Sequence, residues 1–450
     1  MTICFVANFG KTYLFLEVAR RLIKQGDFKV VWIVVNKKIK NDLLADELVN
    51  EADILFLPKN VPPAPEPAHI ECKINEIVYH DRYLKFERAS MKKYLHKVRD
   101  YTYDFLKKHD VRYVIGELTW GHELTINRVT RNAKELNCTY IRPHVTRMPD
   151  RHFAFYQGER DYLAYNPEQA LVSDYKTIQV SKPTYFAKNT KNLSKSRSFG
   201  SRLMRLKRYI TAERIDRHDP SVMYHWYRRF FKGYRDERNS IQYKFVKTET
   251  WEAVKDKKFV FYPLHMQPEA SIDVLGQYYE EQIKNITNIW KILDEDSYLL
   301  VKEHPNAMGN RGFSFFKEIK ALPNVLVVNE HIDSRKILDK AQAIFSVSST
   351  AGYEAALLGK VSFTFSDVFF NHLKGCYRIG VDHFAQCKNF DDLIKSCREA
   401  DKDKMNQEQF SQWLYTNAYA GTWNDEEEGA MKEENLNSLA YALTNYCKGR

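Results

Sequence analysis

VKEHP at residues 301–305, VLVVNEH at 325–331 and FSVSSTAGYEAALLGK at 345–360 place three short apolar runs in succession, each closed by a polar turn. The first ends in a His-Pro turn and the second in an acidic residue, Glu330. The third ends in a hydroxyl-rich, glycine-containing loop that opens a helix from about Ala351 to Leu358. Where that helix begins, Ser348, Ser349 and Thr350 put hydroxyls beside backbone N–H groups that have no partner within the helix. Orphan donors and the helix dipole both favour negative charge, so this end is an anion site. Three such features after successive strands, at one sheet edge, suggest a nucleotide seat.

Working outward, the alternation continues on both sides. KFVFYP from Lys258, YLLVKEH, NVLVVNE, AIFSVS and VSFTF read as strands. Helices are expected between them at about Ile283–Leu293, Phe315–Leu322, Ser334–Lys340 and Gly352–Leu358. Towards the N-terminus, strands are expected at Cys4–Ala7, Lys29–Val35, Ile54–Pro58, Val111–Gly116 and Thr139–Arg142, separated by helical or polar segments. Apolar runs alternating with helical patterns predict parallel, doubly wound sheets. At 450 residues the chain is too long for one ordinary domain. The expected architecture is α/β, two doubly wound Rossmann-like domains facing across a cleft, which is the glycosyltransferase-B fold. The boundary is placed at 250: residues 1–250 form an acceptor and catalytic domain, residues 251–450 a nucleotide-sugar domain. Its C-terminal helices, including EQFSQWLYTNAYAGTW, are read as crossing back onto the first domain, and the aromatic helix MYHWYRRFFKGYRDERNSIQYKF as packing between the halves.

The apolar content of 44% is enough for two cores, and the net charge of +11 suits an anionic lipid surface, nucleic acid or a phosphorylated substrate without choosing among them. The seven cysteines are odd in number, widely spaced and without a CxxC pair, which argues against a disulfide framework or a zinc site and for a reducing cytoplasm. MTICFVANFG has too short an apolar run for a signal peptide, and no stretch approaches a membrane span. The most basic segment, at about 184–217, reads either as a solvated insertion or as an arm touching anionic headgroups at the inner membrane or a phosphorylated acceptor. It lacks the interleaved aromatics of a nucleic-acid reader, so nucleic acid is not expected as a partner. Gly10-Lys11-Thr12 looks like the end of a Walker A loop, but Phe5 stands where the first glycine belongs, which argues against a phosphate-loop ATPase and leaves Lys11 and Thr12 as cleft residues.

YPLHMQPEAS (262–271), taken with VKEHP and SVSSTAGYEAALLGK, resembles the capsule polysaccharide biosynthesis family, whose members include transferases of 3-deoxy-D-manno-octulosonic acid (Kdo). The resemblance covers about residues 258–380 and rests on a QPE motif, here Gln267-Pro268-Glu269, and an HP motif, His304-Pro305. It implies a glycosyltransferase acting in a bacterial surface polysaccharide pathway, capsule or lipopolysaccharide O-antigen, with CMP-Kdo as donor and a glycan, in one version lipid-linked, as acceptor. A single donor phosphate needs no divalent metal, no DxD motif stands out, and neither a metal nor another cofactor is expected. By the same resemblance, Lys302, His304 and Pro305 line the nucleotide, Glu330 accepts from the ribose, and Ser348, Ser349 and Thr350 hold the phosphate. His265 and Gln267 suit the sugar carboxylate, while Glu269 either orients His265 or caps the helix near Ala270.

Glycosyl transfer needs a base near the acceptor hydroxyl, and retention by double displacement needs a carboxylate nucleophile. Glu117, directly after the strand VRYVIG, is the first candidate, with Trp120 as a sugar-stacking face. His265, Glu159 and Asp236 complete the catalytic set. A β-retaining outcome is favoured. Transfer of another nucleotide sugar, UDP-hexose or CMP-sialic acid, and a non-catalytic role in a polysaccharide assembly complex remain open.

Overall fold

A computed structural model describes residues 1–164, 169–181, 204 and 216–449. All but residues 204, 216 and 217 of the basic run at 184–217 lies outside the described residues. The chain divides into two compact units, one of Met1–Leu171, Ala212–His225 and Tyr415–Arg450, the other of Val172–Thr211 and Trp226–Leu414.

The sheet of unit 1 holds β1 (Thr2–Val6), β2 (Lys29–Val34), β3 (Ile54–Phe56), β4 (Val111–Ile115), β5 (Thr139–Val145), β6 (His152–Gln157), β7 (Tyr162–Leu163) and, from the C-terminal segment, β14 (Ala418–Ala420). The order is β14-β6-β5-β4-β1-β2-β3, with β7 on β6. β1 to β5 pair in parallel, whereas β6 and β14 join antiparallel. The central strands are covered on both faces, which is why TICFV and KVVWIV are nearly unbroken apolar runs. Unit 2 holds β8 (Phe259–Pro263), β9 (Tyr298–Lys302), β10 (Val325–Val328), β11 (Ala343–Ser346), β12 (Val361–Thr364) and β13 (Cys376–Arg378), all parallel, in the order β10-β9-β8-β11-β12-β13. Both units are therefore Rossmann-like, the pair of which a glycosyltransferase-B fold is made.

The division departs from the boundary expected at 250 in three places, the first being residues 172–181, which group with unit 2. The helix Trp226–Tyr243 groups with unit 2, where Asn239 Nδ2 donates to the Gly309 carbonyl (3.2 Å) and the Tyr243 ring meets Phe316 edge-on at 5.0 Å. The backbones approach so closely there that a Cβ on Gly309, itself at φ +103°, would lie 2.4 Å from the Asp236 carbonyl oxygen. Residues 415–450 return to unit 1. The helix Glu433–Lys448 lies along the helix Lys11–Lys24 and is tied to it by Arg21 with Glu433 (2.5 Å) and Asn437 (3.0 Å). Trp423, Leu439 and Leu443 enter the same core as Phe5, Phe15 and Trp32. EQFSQWLYTNAYAGTW is helical only as far as Asn417 and then supplies β14, against β6. All seven cysteines are unpaired, and among the described residues no helix is long and apolar enough to cross a membrane.

Candidate active site

In an open parallel sheet, ligands bind outside the carboxyl ends of the strands where the chain reverses its direction of strand addition. Unit 2 adds β9 and β10 on one side of β8, then returns to place β11 on the other. The loops after β8 and β11 flank that point. They carry the QPE motif and the Ser-Ser-Thr run.

His265 fastens these two loops together. Its ring is buried, and Nε2 accepts from the backbone N–H groups of Val347 (3.1 Å) and Ser348 (3.4 Å), which fixes that nitrogen as unprotonated. Gln282 holds the backbone of His265 from both sides, its Oε1 accepting from His265 N (2.8 Å) and its Nε2 donating to His265 O (3.1 Å). Gly276 lets this junction close, since a Cβ there would stand 2.5 Å from Val347 Cγ1. His265 was expected among the catalytic side chains. With its ring nitrogen committed to the loop, it is a positioning residue instead.

A second fastening joins the loops after β8 and β9. Arg311 Nη1 donates to both oxygens of Glu303 (2.7 and 2.9 Å), and Nη2 donates to the His265 carbonyl. Burial pushes the Glu303 carboxyl up, against the lowering pull of Arg311 and the bond from His304 N. Glu303 also senses the charge of Glu330, which places Glu330 at the same end of the sheet. Neither Arg311 nor Gln282 was expected from the sequence. Arg311 follows the His-Pro turn without a local pattern that pairs it with Glu303.

Of the expected nucleotide ligands, His304 is the best disposed. It is half-buried, and its Nδ1 accepts from Asn306 N (3.1 Å) to cap the turn Pro305–Ala307, so the proton of the neutral ring sits on Nε2 as a donor. Burial, then the charges of Lys302 and Arg311, hold its pKa down and the ring neutral. Ser349 caps the helix Thr350–Leu357, its Oγ accepting from Ala351 N (3.1 Å), which leaves its own hydroxyl hydrogen to give. The backbone N–H groups of Ser349 and Thr350 have no protein acceptor among the described residues. Glu330 is buried, with Tyr243 Oη donating to it at 3.3 Å and His331 Nε2 lying 3.3 Å from its Oε1. Glu269 stands at the N-cap of Ala270–Asp273 but caps nothing with its side chain. It does not touch His265 either, and its half-buried carboxylate has no partner among the described residues.

Three expected ligands are turned to structural use. Ser348 Oγ donates inward to the Ser271 carbonyl (2.6 Å). Lys302 Nζ is spent on Ile332 O (2.5 Å) and Ser334 Oγ (2.9 Å). The Gln267 amide bridges Glu280 O (3.1 Å) and Gln282 Nε2 (2.9 Å) beside the cis peptide to Pro268, bracing the loop rather than facing a sugar.

Unit 1 repeats the topology: β2 and β3 lie on one side of β1 and β4 on the other. The loops after β1 and β4 flank this reversal and bring together Asn8, Lys11, Glu117 and Glu123. Lys11 Nζ is ion-paired with Glu117 Oε1, and Asn8 Nδ2 donates to Glu117 Oε2 (3.1 Å) and Glu123 Oε1 (3.0 Å). Glu123 Oε2 accepts from the N–H groups of Thr119 (2.7 Å) and Trp120 (3.0 Å). Full burial, then the charge of Glu117, pushes the Glu123 carboxyl up to about 8, so it holds a proton at neutral pH. Glu117 keeps an open route to solvent, its side chain 31% exposed. Its backbone is fixed by Tyr140 Oη donating to its carbonyl (2.5 Å). Thr12 is buried, accepting from Asn8 N (2.9 Å). Glu123 escaped notice because it sits third in its helix, where a Glu usually signals a capping box, but Trp120 stands in place of the Ser or Thr that marks one.

The remaining expectations in this region are corrected. Glu159 forms a buried two-point ion pair with Arg128 (2.7 and 2.9 Å). Asp236 pairs with Lys232 (2.7 Å) along the helix Trp226–Tyr243 of the other unit. Glu159, unlike Glu117, is buried within its pair, and Asp236 stands on a helix of the other unit. Trp120 is almost buried, stacked on Tyr83 (5.5 Å) with Arg82 5.5 Å from its ring, so it is a packing group rather than a sugar platform. Among the described residues no cluster of three His, Cys, Asp or Glu side chains is arranged to hold a metal.

Residues 177–376 match the family model described as capsule polysaccharide biosynthesis protein, a span that contains both the QPE and the HP tripeptides. No curated protein matches the chain in sequence. Among solved structures, the chain is similar to Thermosulfurimonas dismutans KpsC, a beta Kdo 2,7 transferase, at 13% identity over 99% of this chain and 98% of that one, with a TM-score of 0.37. It is also similar to a glycosyltransferase from Rickettsia africae (12% identity, 99% of each chain, TM-score 0.28) and to the UDP-GlcNAc 2-epimerase of Methanocaldococcus jannaschii (13%, 92% and 98%, TM-score 0.25). Overlays of that degree leave the fold to rest on the strand orders given above.

Proposed function

We propose that the chain is a glycosyltransferase of surface polysaccharide assembly that moves Kdo from CMP-Kdo to a glycan acceptor. The observation that carries this is the presence, at the carboxyl ends of the unit 2 strands, of a neutral histidine donor after β9 and, after β11, a helix end whose first N–H groups have no protein acceptor among the described residues. His304 Nε2, Ser349 Oγ and the N–H groups of Ser349 and Thr350 offer donors for one phosphate. Glu330 offers acceptors for the ribose hydroxyls, and Glu269 for a sugar hydroxyl. The match of residues 177–376 to the capsule family supports the pathway, and a CMP-linked donor suits a site with donors for a single phosphate and no call for a metal.

Glu117 is the carboxylate assigned to the chemistry. If the reaction inverts, it takes the acceptor hydroxyl's proton as that oxygen attacks the anomeric carbon and the bond to the CMP phosphate breaks, CMP leaving as the phosphate monoester anion. If it retains, the version we favour, Glu117 attacks first: its ester forms as the bond to the CMP phosphate breaks, and the acceptor hydroxyl then displaces the carboxylate, passing its proton to the released Glu117. Lys11 and Asn8 hold Glu117 in place, and Asn8 is itself anchored on Glu123. The test is incubation with CMP-Kdo generated in situ and a panel of synthetic acceptors, read by mass spectrometry and NMR. A mass gain of one Kdo is expected, and the anomeric signal reports the stereochemistry. Thermal stabilisation by UDP but not by CMP would reject the donor.

A further inference from the structure

The helix Trp226–Tyr243 is amphipathic in an unusual sense, because its outward side is apolar. Its inner side is docked on unit 2 through buried Gly233, Asn239 and Tyr243. On the opposite side Tyr227, Phe231, Tyr234 and Ile241 recur at spacings of four, three and seven residues, which puts them on one stripe, continued by Phe245 in the turn that follows. Phe231 is 65% exposed and Phe245 76%. A soluble helix buries such a stripe, and this one buries the other side.

The charges around the stripe point to what covers it. Residues 226–247 carry seven Lys and Arg against two acidic residues. Arg238 occupies the gap in the stripe, and Arg235 and Lys244 lie exposed beside it. Aromatic rings flanked by guanidinium and ammonium groups are the composition of helices that lie in the headgroup layer of an anionic bilayer, where tyrosine and phenylalanine enter the acyl boundary and the cations meet phosphates. A second copy of the chain, docked through the same surface by a two-fold axis, would set this positive field against itself.

We propose that the outward stripe Tyr227–Phe231–Tyr234–Ile241–Phe245 is a docking surface for an anionic lipid bilayer. The helix stays packed on unit 2 while its stripe enters the interface, so binding needs no unfolding. The proposal is independent of the donor assignment, since it concerns neither strand reversal.

The test uses the full chain with vesicles of phosphatidylcholine alone or mixed with phosphatidylglycerol, read by co-sedimentation. The protein is expected to sediment with the anionic vesicles, to be released by salt, and to stay in solution with neutral ones. Joint substitution of Phe231→Ser and Ile241→Ser is expected to abolish sedimentation, and Arg235→Gln with Arg238→Gln to weaken it about thirtyfold, as two lost headgroup contacts imply. The side chains are exposed, so unchanged thermal unfolding verifies that both variants fold. Failure of the native protein to bind anionic vesicles overturns the proposal, as does binding by both variants equal to the native protein's. If the serine variant instead turns a dimer into a monomer while vesicle binding stays absent throughout, the stripe is an interface between copies and the proposal is wrong.

Discussion

Replacing Arg311 by alanine removes the cation that neutralises Glu303, a carboxylate whose side chain is only 1% exposed. The guanidinium makes two hydrogen bonds to that carboxylate and one to the His265 carbonyl, and after truncation only His304 N, at 2.7 Å, still donates to Glu303. Breaking one side of a buried pair costs about 3–5 kcal/mol, because the surviving charge stays desolvated. For a unit of this size that lowers the melting temperature by roughly 6–20 °C. Glu303 already sits above its ordinary value of 4.5, and losing Arg311 removes an influence that lowers it. The penalty should therefore be complete at high pH and shrink as pH falls towards 4.5, where the carboxyl is protonated in the folded and unfolded chain alike. Adding Glu303→Gln to Arg311→Ala deletes the stranded charge and should restore more than half of the loss. The assay is urea and thermal unfolding of the three variants between pH 5 and 8, followed by tryptophan emission. A loss below about 1 kcal/mol, or no recovery in the double variant, would refute the role given to this pair.

Five further outcomes are expected. Glu123, raised from 4.5 to about 8, favours the folded state fully below pH 4.5 and loses that contribution, on the order of 4–5 kcal/mol, as pH rises through 8; Glu123→Gln should flatten this slope in urea midpoints measured from pH 5 to 9. His122 is held neutral by burial at about 3, so its stabilising effect is present above pH 6.5 and lost as pH falls towards 3, and His122→Gln should move acid unfolding to lower pH. Gly309→Ala meets both a positive φ and the Asp236 carbonyl, and should cost at least about 2 kcal/mol by thermal unfolding. On the proposed function, His304→Ala should remove the thermal shift given by CMP, and Glu117→Gln should abolish Kdo transfer while leaving that shift in place.

The sheet of unit 2 was largely legible. Its strands are buried on both faces and so stand out as apolar runs, and its helices start at identifiable caps such as Asp333 and Ser349, so the expected helix Ser334–Lys340 agrees with the structure residue for residue. Less legible were β6 and β14, whose pairing joins residues more than two hundred positions apart, and β14 is three residues directly following a helix. For the candidate site, the turns were readable because glycine, proline and hydroxyl residues mark them. Which side chains in those turns remain available was not. Lys302, Ser348 and Glu159 differ from His304 and Ser349, whose side-chain bonds are local, in having distant partners, Ile332, Ser271 and Arg128, and no local pattern records such a partner.

The return of residues 415–450 to unit 1 has a consequence for biosynthesis. Trp423, Leu439 and Leu443 are translated after the whole of unit 2, yet they fill the interior begun by β1. Domains ordinarily mature in the order in which they leave the ribosome. Here the nascent sheet of unit 1 must wait with one edge and one helix position unfilled while the whole of unit 2 is made, so the earlier of the two units is completed after the later one.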